Sequence, residues 1–287
     1  MSPLDRIRVV NLALNIPGPV AAARLRALGA AVVKVEPPEG DPLQRGCPAW
    51  YGALTAGQEV LRLNLKEAAD RARLDELLEA ADLLLTAFRP AALGRLGLAW
   101  PALHARFPRL CQVAIIGPPP PHADRPGHDL NYQAAAGLLT PPQLPRTCLA
   151  DLAGAERAVS AALALLLVRE RGRGGGCQWV SLAEAAEDFA APLRHGLTAP
   201  GGILGGGFPG YDLYRAQDGW VAVAALEPRL WTRLAQEVGA PAAERAELEK
   251  FFRQRTVEEW QAWALEKDVP ITAFAEREGA GGSASRR

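Results

Sequence analysis

The chain has 287 residues, with 32 Lys and Arg against 32 Asp and Glu and 49% hydrophobic residues. That apolar content over that length buries a substantial core in one large or two modest domains, and it excludes a chain dominated by disorder. A zero net charge excludes nucleic-acid binding that relies on bulk positive charge, while leaving room for a local basic pocket around a small anion.

In chain order, Ile7–Leu12 predicts a first strand, Gly18–Leu28 a helix with Pro19 near its start, and Ala31–Val35 a second strand. Val60–Leu65, Asp82–Leu85 and Leu110–Ile115 continue the strand series, with helices over Glu67–Ala80 and Ala91–His104 between them. This alternation predicts an α/β fold, a doubly wound and mainly parallel Rossmann-like sheet with its ligand site beyond the carboxyl ends of the strands. Asp151 opens a long apolar helix that runs to about Glu170 and stops at the glycine-rich Arg171–Gly176. Tyr211–Tyr214 and Trp220–Ala224 predict a hairpin, followed by helices over Pro228–Val238 and Val257–Lys267. The expected organisation is a large domain over 1–185, a Gly/Pro-rich linker over 186–210, a small α+β domain over 211–275 and a flexible tail over 276–287.

Met1–Leu14 lacks the order of a signal peptide, and the longest apolar run, Ala158–Val168, is well short of the roughly 20 residues of a membrane span. Cys47, Cys111, Cys148 and Cys177 stand apart with no CxxC pair. They read as reduced thiols of a cytoplasmic protein rather than a disulfide frame or zinc site. No metal, membrane or nucleic-acid partner is expected.

No P-loop, metal motif or Gly-x-Ser-x-Gly elbow is present, and the glycine clusters lack the setting of a dinucleotide fingerprint. Three ionisable groups stand out. His128 lies in Gly127-His128-Asp129-Leu130-Asn131-Tyr132, Asp151 at the start of the long helix, and Glu227 in Ala225-Leu226-Glu227-Pro228. Each also has a structural explanation, and on residues alone that explanation is favoured. Asp151 reads as an N-cap, Glu227 as a helix-entry acid, and His128 as a loop histidine bonded to Asp129. His104, His122 and His195 have no supporting constellation.

An ordered series of segments changes that weighting. It comprises Gly18-Pro19, Leu28-Gly29-Ala30, Val32–Pro38, Phe88-Arg89-Pro90, Arg95–Leu98, Pro108–Leu110, Gly127–Tyr132, Ala150-Asp151, and Tyr211–Tyr214 followed by Asp218-Gly219. Together they resemble the class III CoA-transferase family, which includes formyl-CoA transferase, carnitine CoA-transferase and α-methylacyl-CoA racemase. By that resemblance Asp151 matches the carboxylate that transferases use as nucleophile. The Gly-His-Asp-x-Asn-Tyr run and the Leu-Glu-Pro segment are more narrowly similar to the racemase branch. There His128 and Asp151 correspond to the two acid/base residues and Glu227 to the histidine's partner.

The resemblance implies an acyl-CoA substrate, with coenzyme A as part of that substrate and no prosthetic group. It assigns CoA binding to the 1–185 domain. Lys66, Phe88, Arg89 and Arg95 would meet the nucleotide end, and Gly127, Asp129, Asn131 and Tyr132 are further CoA-binding positions. Arginine suits phosphate through its planar fork of donors. The resemblance also implies an interlocked homodimer in which Glu227 reaches His128 across the subunit interface.

Racemisation of a 2-methylacyl-CoA removes the α-proton from one face and returns one to the other, so two opposed groups that alternate as acid and base suffice. Histidine, with an ordinary pKa of about 6.5, suits that alternation. Aspartate needs partial burial to become a better base, and amides at the start of the Asp151 helix would hold the enolate oxygen. The alternative is a CoA-transferase in which Asp151 attacks the thioester, a route that does not require His128. A third reading is a CoA-binding homologue without catalysis. Thr55–Glu59 replaces a basic segment of the family and Pro37 replaces an arginine. The stretches Gly117–Pro121 and Thr140–Cys148 are short, and the chain ends soon after Ile271, which implies a looser interlock.

Overall fold

The structure is a computed structural model and describes residues 2–239 and 244–274. The chain divides into two units between Ala190 and Ala191. The expected tail over 276–287 lies outside the described residues.

The first unit runs β1 (Arg8–Asn11), α1 (Pro17–Ala27), β2 (Ala31–Glu36), α2 (Pro42–Gly46), α3 (Pro48–Thr55), β3 (Glu59–Arg62), α4 (Ala68–Glu79) and β4 (Leu83–Thr86). It continues with α5 (Pro90–Arg95), α6 (Trp100–Arg106), β5 (Cys111–Ile116), α7 (Asp129–Ala135), α8 (Leu149–Val168), β6 (Cys177–Ser181) and α9 (Leu182–Phe189). Six strands form one sheet in the order β3-β2-β1-β4-β5-β6, and every pairing is parallel.

Successive residues of a strand point to opposite faces, and here both faces are covered. Val9, Leu83, Leu85, Val113 and Ile115 pack with α1 and α8. Val10, Leu84 and Val35 pack with Leu74 and Leu78 of α4, Leu93 of α5 and Leu103 of α6. These runs are therefore mainly apolar on both faces instead of alternating, as the doubly wound expectation requires. Small residues let α8 lie close against its neighbours. Ala150, Ala155, Ala158 and Ala162 are each fully buried, and a side chain at Gly154 would collide with Leu182.

Three expectations change. The single helix over Ala91–His104 is two helices, α5 and α6. Gly97 takes a left-handed φ of +63° and Pro101 opens the second helix, so the helical ladder cannot run through. Asp151 is not an N-cap. It lies in the first turn of α8, and Cys148 holds the cap position. An additional strand, β6, forms the sheet edge with a burial pattern too mixed to read as a core strand.

A buried ionic cluster sits at the carboxyl end of β2. Lys34 Nζ lies 2.8 Å from Asp41 Oδ2 and 3.6 Å from Glu36 Oε1, with all three side chains at 0% exposure or within 1% of it. The Tyr51 hydroxyl donates to Glu36 Oε1 at 2.7 Å, and burial beside that carboxylate drives the phenol pKa upward. Asp41 Oδ1 accepts the backbone N–H groups of Asn15 at 3.0 Å and Leu43 at 2.9 Å, so the cluster anchors the loop after β1. Lys34→Met leaves two buried carboxylates without their cation. Its expected destabilisation is about 3–5 kcal/mol, read as a fall in the urea midpoint at unchanged slope.

The second unit contains α10 (Ala191–Arg194), β7 (Tyr211–Arg215), β8 (Trp220–Ala224), α11 (Pro228–Val238), α12 (Arg245–Phe252), α13 (Val257–Lys267) and β9 (Ile271–Ala273). The strands pair antiparallel in the order β7-β8-β9. Tyr214 stacks on Phe252, which meets Trp260 edge-on. Trp260 Nε1 donates to the Phe252 carbonyl at 2.8 Å, satisfying the indole inside an aromatic core. The glycine-rich stretch ahead of β7 closes on itself. Gly202 N donates to the Ala199 carbonyl at 2.7 Å and Leu204 N to the Leu197 carbonyl at 2.9 Å. A Cβ at Gly202, Gly205 or Gly207 would strike backbone oxygens of that turn.

Candidate active site

The strand order reverses between β1 and β4. The chain leaves β1 toward β2 and β4 toward β5, so the loops at their carboxyl ends diverge and open a crevice. A cavity of about 270 Å³ occupies it. Its walls come from Leu12 and Asn15 after β1, Phe88 and Arg89 after β4, and Gly117 after β5. Arg125, Gly127, His128, Tyr132 and Asp151 face the same space. A second cavity of about 370 Å³ shares Leu12, Leu14 and Phe88 with the first and reaches Glu36, Asn64 and Lys66 at the ends of β2 and β3.

The fold thus brings His128 and Asp151 to one cleft. His128 is the N-cap residue of α7 and is exposed. Its backbone N–H donates to Asn131 Oδ1 at 3.0 Å, which fixes the turn that presents the imidazole. Asp151 is partly buried. Burial is the main influence on it and the nearby Asp129 the second, and together they push its pKa up to about 7. A carboxylate held there is a far stronger base and nucleophile than one at the ordinary aspartate value.

Asp129 does not bond His128 as the sequence reading allowed. It is buried and accepts from Gln133 Nε2 at 2.5 Å and from the backbone N–H of Asp151 at 3.1 Å. Two consequences follow. Asp129 ties α7 to the start of α8 and so sets the position of His128 relative to Asp151. The Asp151 amide, expected to hold an enolate oxygen, is already occupied. Tyr132 supplies another donor in the cleft. The residue is 7% exposed, and its hydroxyl sits against Gly117 and Gly127, where a Cβ on Gly127 would lie 2.7 Å from the oxygen. Burial and Asp151 raise the phenol pKa, and Arg89 opposes them.

Lys66 lies in the second cavity, Arg89 in the first and Phe88 in the wall between them. Arg95 stands on the last turn of α5, outside the residues that line these two cavities. Glu227 belongs to the second unit, where it is the exposed N-cap residue of α11 and its carbonyl accepts the Leu230 and Trp231 amides. Arg125 was missed by sequence reasoning, although a cation three residues before His128 was the available signal. Asp124 Oδ1 accepts the Ala91 N–H at 2.9 Å, which pins the Arg125 loop to the start of α5. Among the described residues no three His, Cys, Asp or Glu side chains gather as a metal site, and no helix is long and apolar enough to cross a membrane.

The fold and the cleft define a doubly wound α/β protein with a cleft at the switch point of the sheet. The sequence profile of CoA-transferase family III matches residues 4–281, and the chain belongs to that family. It is 29% identical to the Probable fatty acyl-CoA transferase Rv3272 of Mycobacterium tuberculosis, over 88% of this chain and 73% of that protein. A crystal structure of Rv3272 superposes with a TM-score of 0.84 at 28% identity, covering 96% of this chain and 86% of that one. It is 30% identical to succinyl-CoA–D-citramalate CoA-transferase of Chloroflexus aurantiacus, over 83% of this chain and 65% of that protein. It is 31% identical to the alpha-methylacyl-CoA racemase of Homo sapiens, over 82% of this chain and 65% of that protein. The chain therefore spans between 65% and 73% of the length of these curated relatives.

Proposed function

We propose that the protein is an acyl-CoA racemase or epimerase that moves the α-proton of a 2-methylacyl-CoA thioester. The observation that carries this reading is an imidazole and a raised carboxyl lining one cleft at the switch point of the sheet. The nucleotide end of CoA lies toward Lys66 and Phe88, with Arg89 facing its phosphates and Arg95 at the outer edge. The thioester then sits between His128 and Asp151. Asp151 takes the α-proton from one face, and the C–H electron pair moves into the carbonyl to give an enolate. Protonated His128 delivers a proton to the opposite face, and the roles exchange for the other enantiomer. The Tyr132 hydroxyl donates to the enolate oxygen, the kind of contact commonly worth about 3 kcal/mol. Glu227, supplied by the second subunit of a cytoplasmic homodimer, orients the imidazole and stabilises its protonated form.

A second reading is favoured by the names of two of the three relatives, which are transferases. In it the Asp151 carboxylate attacks the donor thioester carbonyl and expels CoA thiolate, leaving a mixed anhydride. The thiolate attacks the Asp151 carbonyl, releases the donor acid and leaves an aspartyl-CoA thioester for the acceptor carboxylate.

Incubating the protein in deuterated water with a panel of 2-methylacyl-CoA and unbranched acyl-CoA thioesters separates the readings. Racemisation places deuterium at the α-carbon of the branched substrates. Transfer gives no deuterium but a hydroxylamine-trapped Asp151 adduct, seen by mass spectrometry. CoA binding with neither signal overturns both and leaves a binding protein.

A further inference from the structure

The loop between β1 and α1 brings a third polar side chain to the acid/base pair. Asn15 lines the central cleft and also an adjoining cavity of about 610 Å³. The residues that line both are Asn15, His128 and Asp151. A neutral carboxamide thus shares the meeting point of the two cavities with the imidazole and the carboxyl.

The backbone that presents it is fixed from several directions. Asn15 has a left-handed φ of +64°, a conformation that asparagine tolerates better than most residues with a Cβ. The Leu12 N–H donates to the Leu85 carbonyl at 2.9 Å, and the Ala13 N–H to Asn11 Oδ1 at 2.9 Å. Lys34 Nζ donates to the Ala13 carbonyl at 3.3 Å, and the Asn15 N–H to Asp41 Oδ1 at 3.0 Å. A Cβ on Gly18 would strike Ala13, so α1 lies tight against the loop. The buried Lys34–Asp41 pair therefore clamps the Asn15 backbone, while among the described residues its carboxamide bonds no partner. A rigid backbone carrying an uncommitted N–H at the reacting atoms has the form of a preorganised donor.

Proton transfer and CoA transfer both place negative charge on the thioester oxygen, as an enolate in one and a tetrahedral adduct in the other. The Asp151 amide is bonded to Asp129, which leaves Tyr132 as one donor, and an oxyanion accepts more than one hydrogen bond. Arg89 and Arg125 face the central cleft alone, whereas Asn15 borders both cavities beside the two reacting groups. We propose that Asn15 is a further catalytic residue whose Nδ2–H donates to the thioester oxygen as that charge forms. The inference rests on the CoA-thioester reading above and adds a group that serves either reaction.

The test compares Asn15→Gly and Asn15→Asp with wild type at pH 8. Glycine keeps the left-handed backbone and deletes the carboxamide. Aspartate keeps the backbone and the side-chain size but has no N–H to give. Turnover of the same panel of branched and unbranched acyl-CoA thioesters is followed by α-deuterium incorporation and by hydroxylamine trapping, with calorimetric titration of free CoA alongside. Both variants are expected to lose about 10²-fold or more in kcat while KM and CoA affinity stay within about threefold, the signature of a contact made only in the transition state. Either variant turning over like wild type overturns this assignment alone. A loss confined to KM or CoA affinity does the same, because it makes Asn15 a ground-state binding residue. Wild type that converts no thioester of the panel overturns the thioester chemistry and this assignment together.

Discussion

His128→Ala is expected to lower inversion at the α-carbon of 2-methylacyl-CoA by about 10³-fold while CoA affinity stays within about twofold. A positioned acid or base contributes about 10²–10⁴-fold to a proton transfer, and exchange with inversion needs a group on each face of the enolate. His128 lines the central cleft but not the cavity that contains Lys66, so truncation leaves the proposed nucleotide contacts in place. Chiral analysis of the 2-methylacyl group, with α-deuterium incorporation followed by NMR and calorimetric titration with CoA alongside, checks both halves. Full inversion in the variant ends the two-base account. Loss of inversion and of exchange with hydroxylamine trapping intact identifies a carboxylate that still acts as a nucleophile, and that outcome moves the assignment to transfer.

The second large effect is expected at Asp151. Its carboxyl titrates at about 7 in the folded chain, from burial first and from Asp129 second, against about 3.9 when unfolded. The native site therefore binds a proton more tightly than the unfolded chain does. Stability from this group is complete below pH 4 and is lost as pH rises through 7, because the folded protein must then hold an ionised carboxylate in a poorly solvated site beside another. Asp151→Asn keeps the shape and removes the charge. It is expected to abolish both proton transfer and CoA transfer. It is also expected to make the protein more stable than wild type at pH 8, by on the order of 1–3 kcal/mol. Urea denaturation at pH 8 and pH 4 checks this, since the difference should vanish at the lower pH. A variant destabilised at pH 8 would show that the carboxylate is well solvated or paired. The same titration makes wild-type exchange rise with pH through about 7 when Asp151 acts as the base.

The large unit was legible where burial is simple. Val9–Val10, Val32–Val33, Leu83–Leu85 and Val113–Ile116 are apolar on both faces because helices cover both sides of the sheet, and α8 is legible from its continuous small and aliphatic residues. β6 was not, because an edge strand buries too little to carry a pattern. The break between α5 and α6 depends on a left-handed glycine that reads, in sequence, as one tolerable residue in a helix. Lys34 sits among valines as an exposed strand residue would, and only the approach of the Asp41 and Glu36 carboxylates explains why it is fully buried.

The candidate site divides along the same line. Composition, strand–helix alternation and the motif series, all properties of neighbouring residues, determined the α/β class, the family, and His128, Asp151 and Glu227 as the residues of interest. The basicity of Asp151 was decided elsewhere. Asp129, 22 positions earlier, is brought against the start of α8 by the packing of α7, where it takes the Asp151 amide and adds a second negative charge to a site already short of water. Tertiary structure also placed Arg125 and Tyr132 in the cleft. Desolvation and through-space charge depend on what surrounds a group in three dimensions, and a linear sequence specifies those surroundings only once the chain has folded.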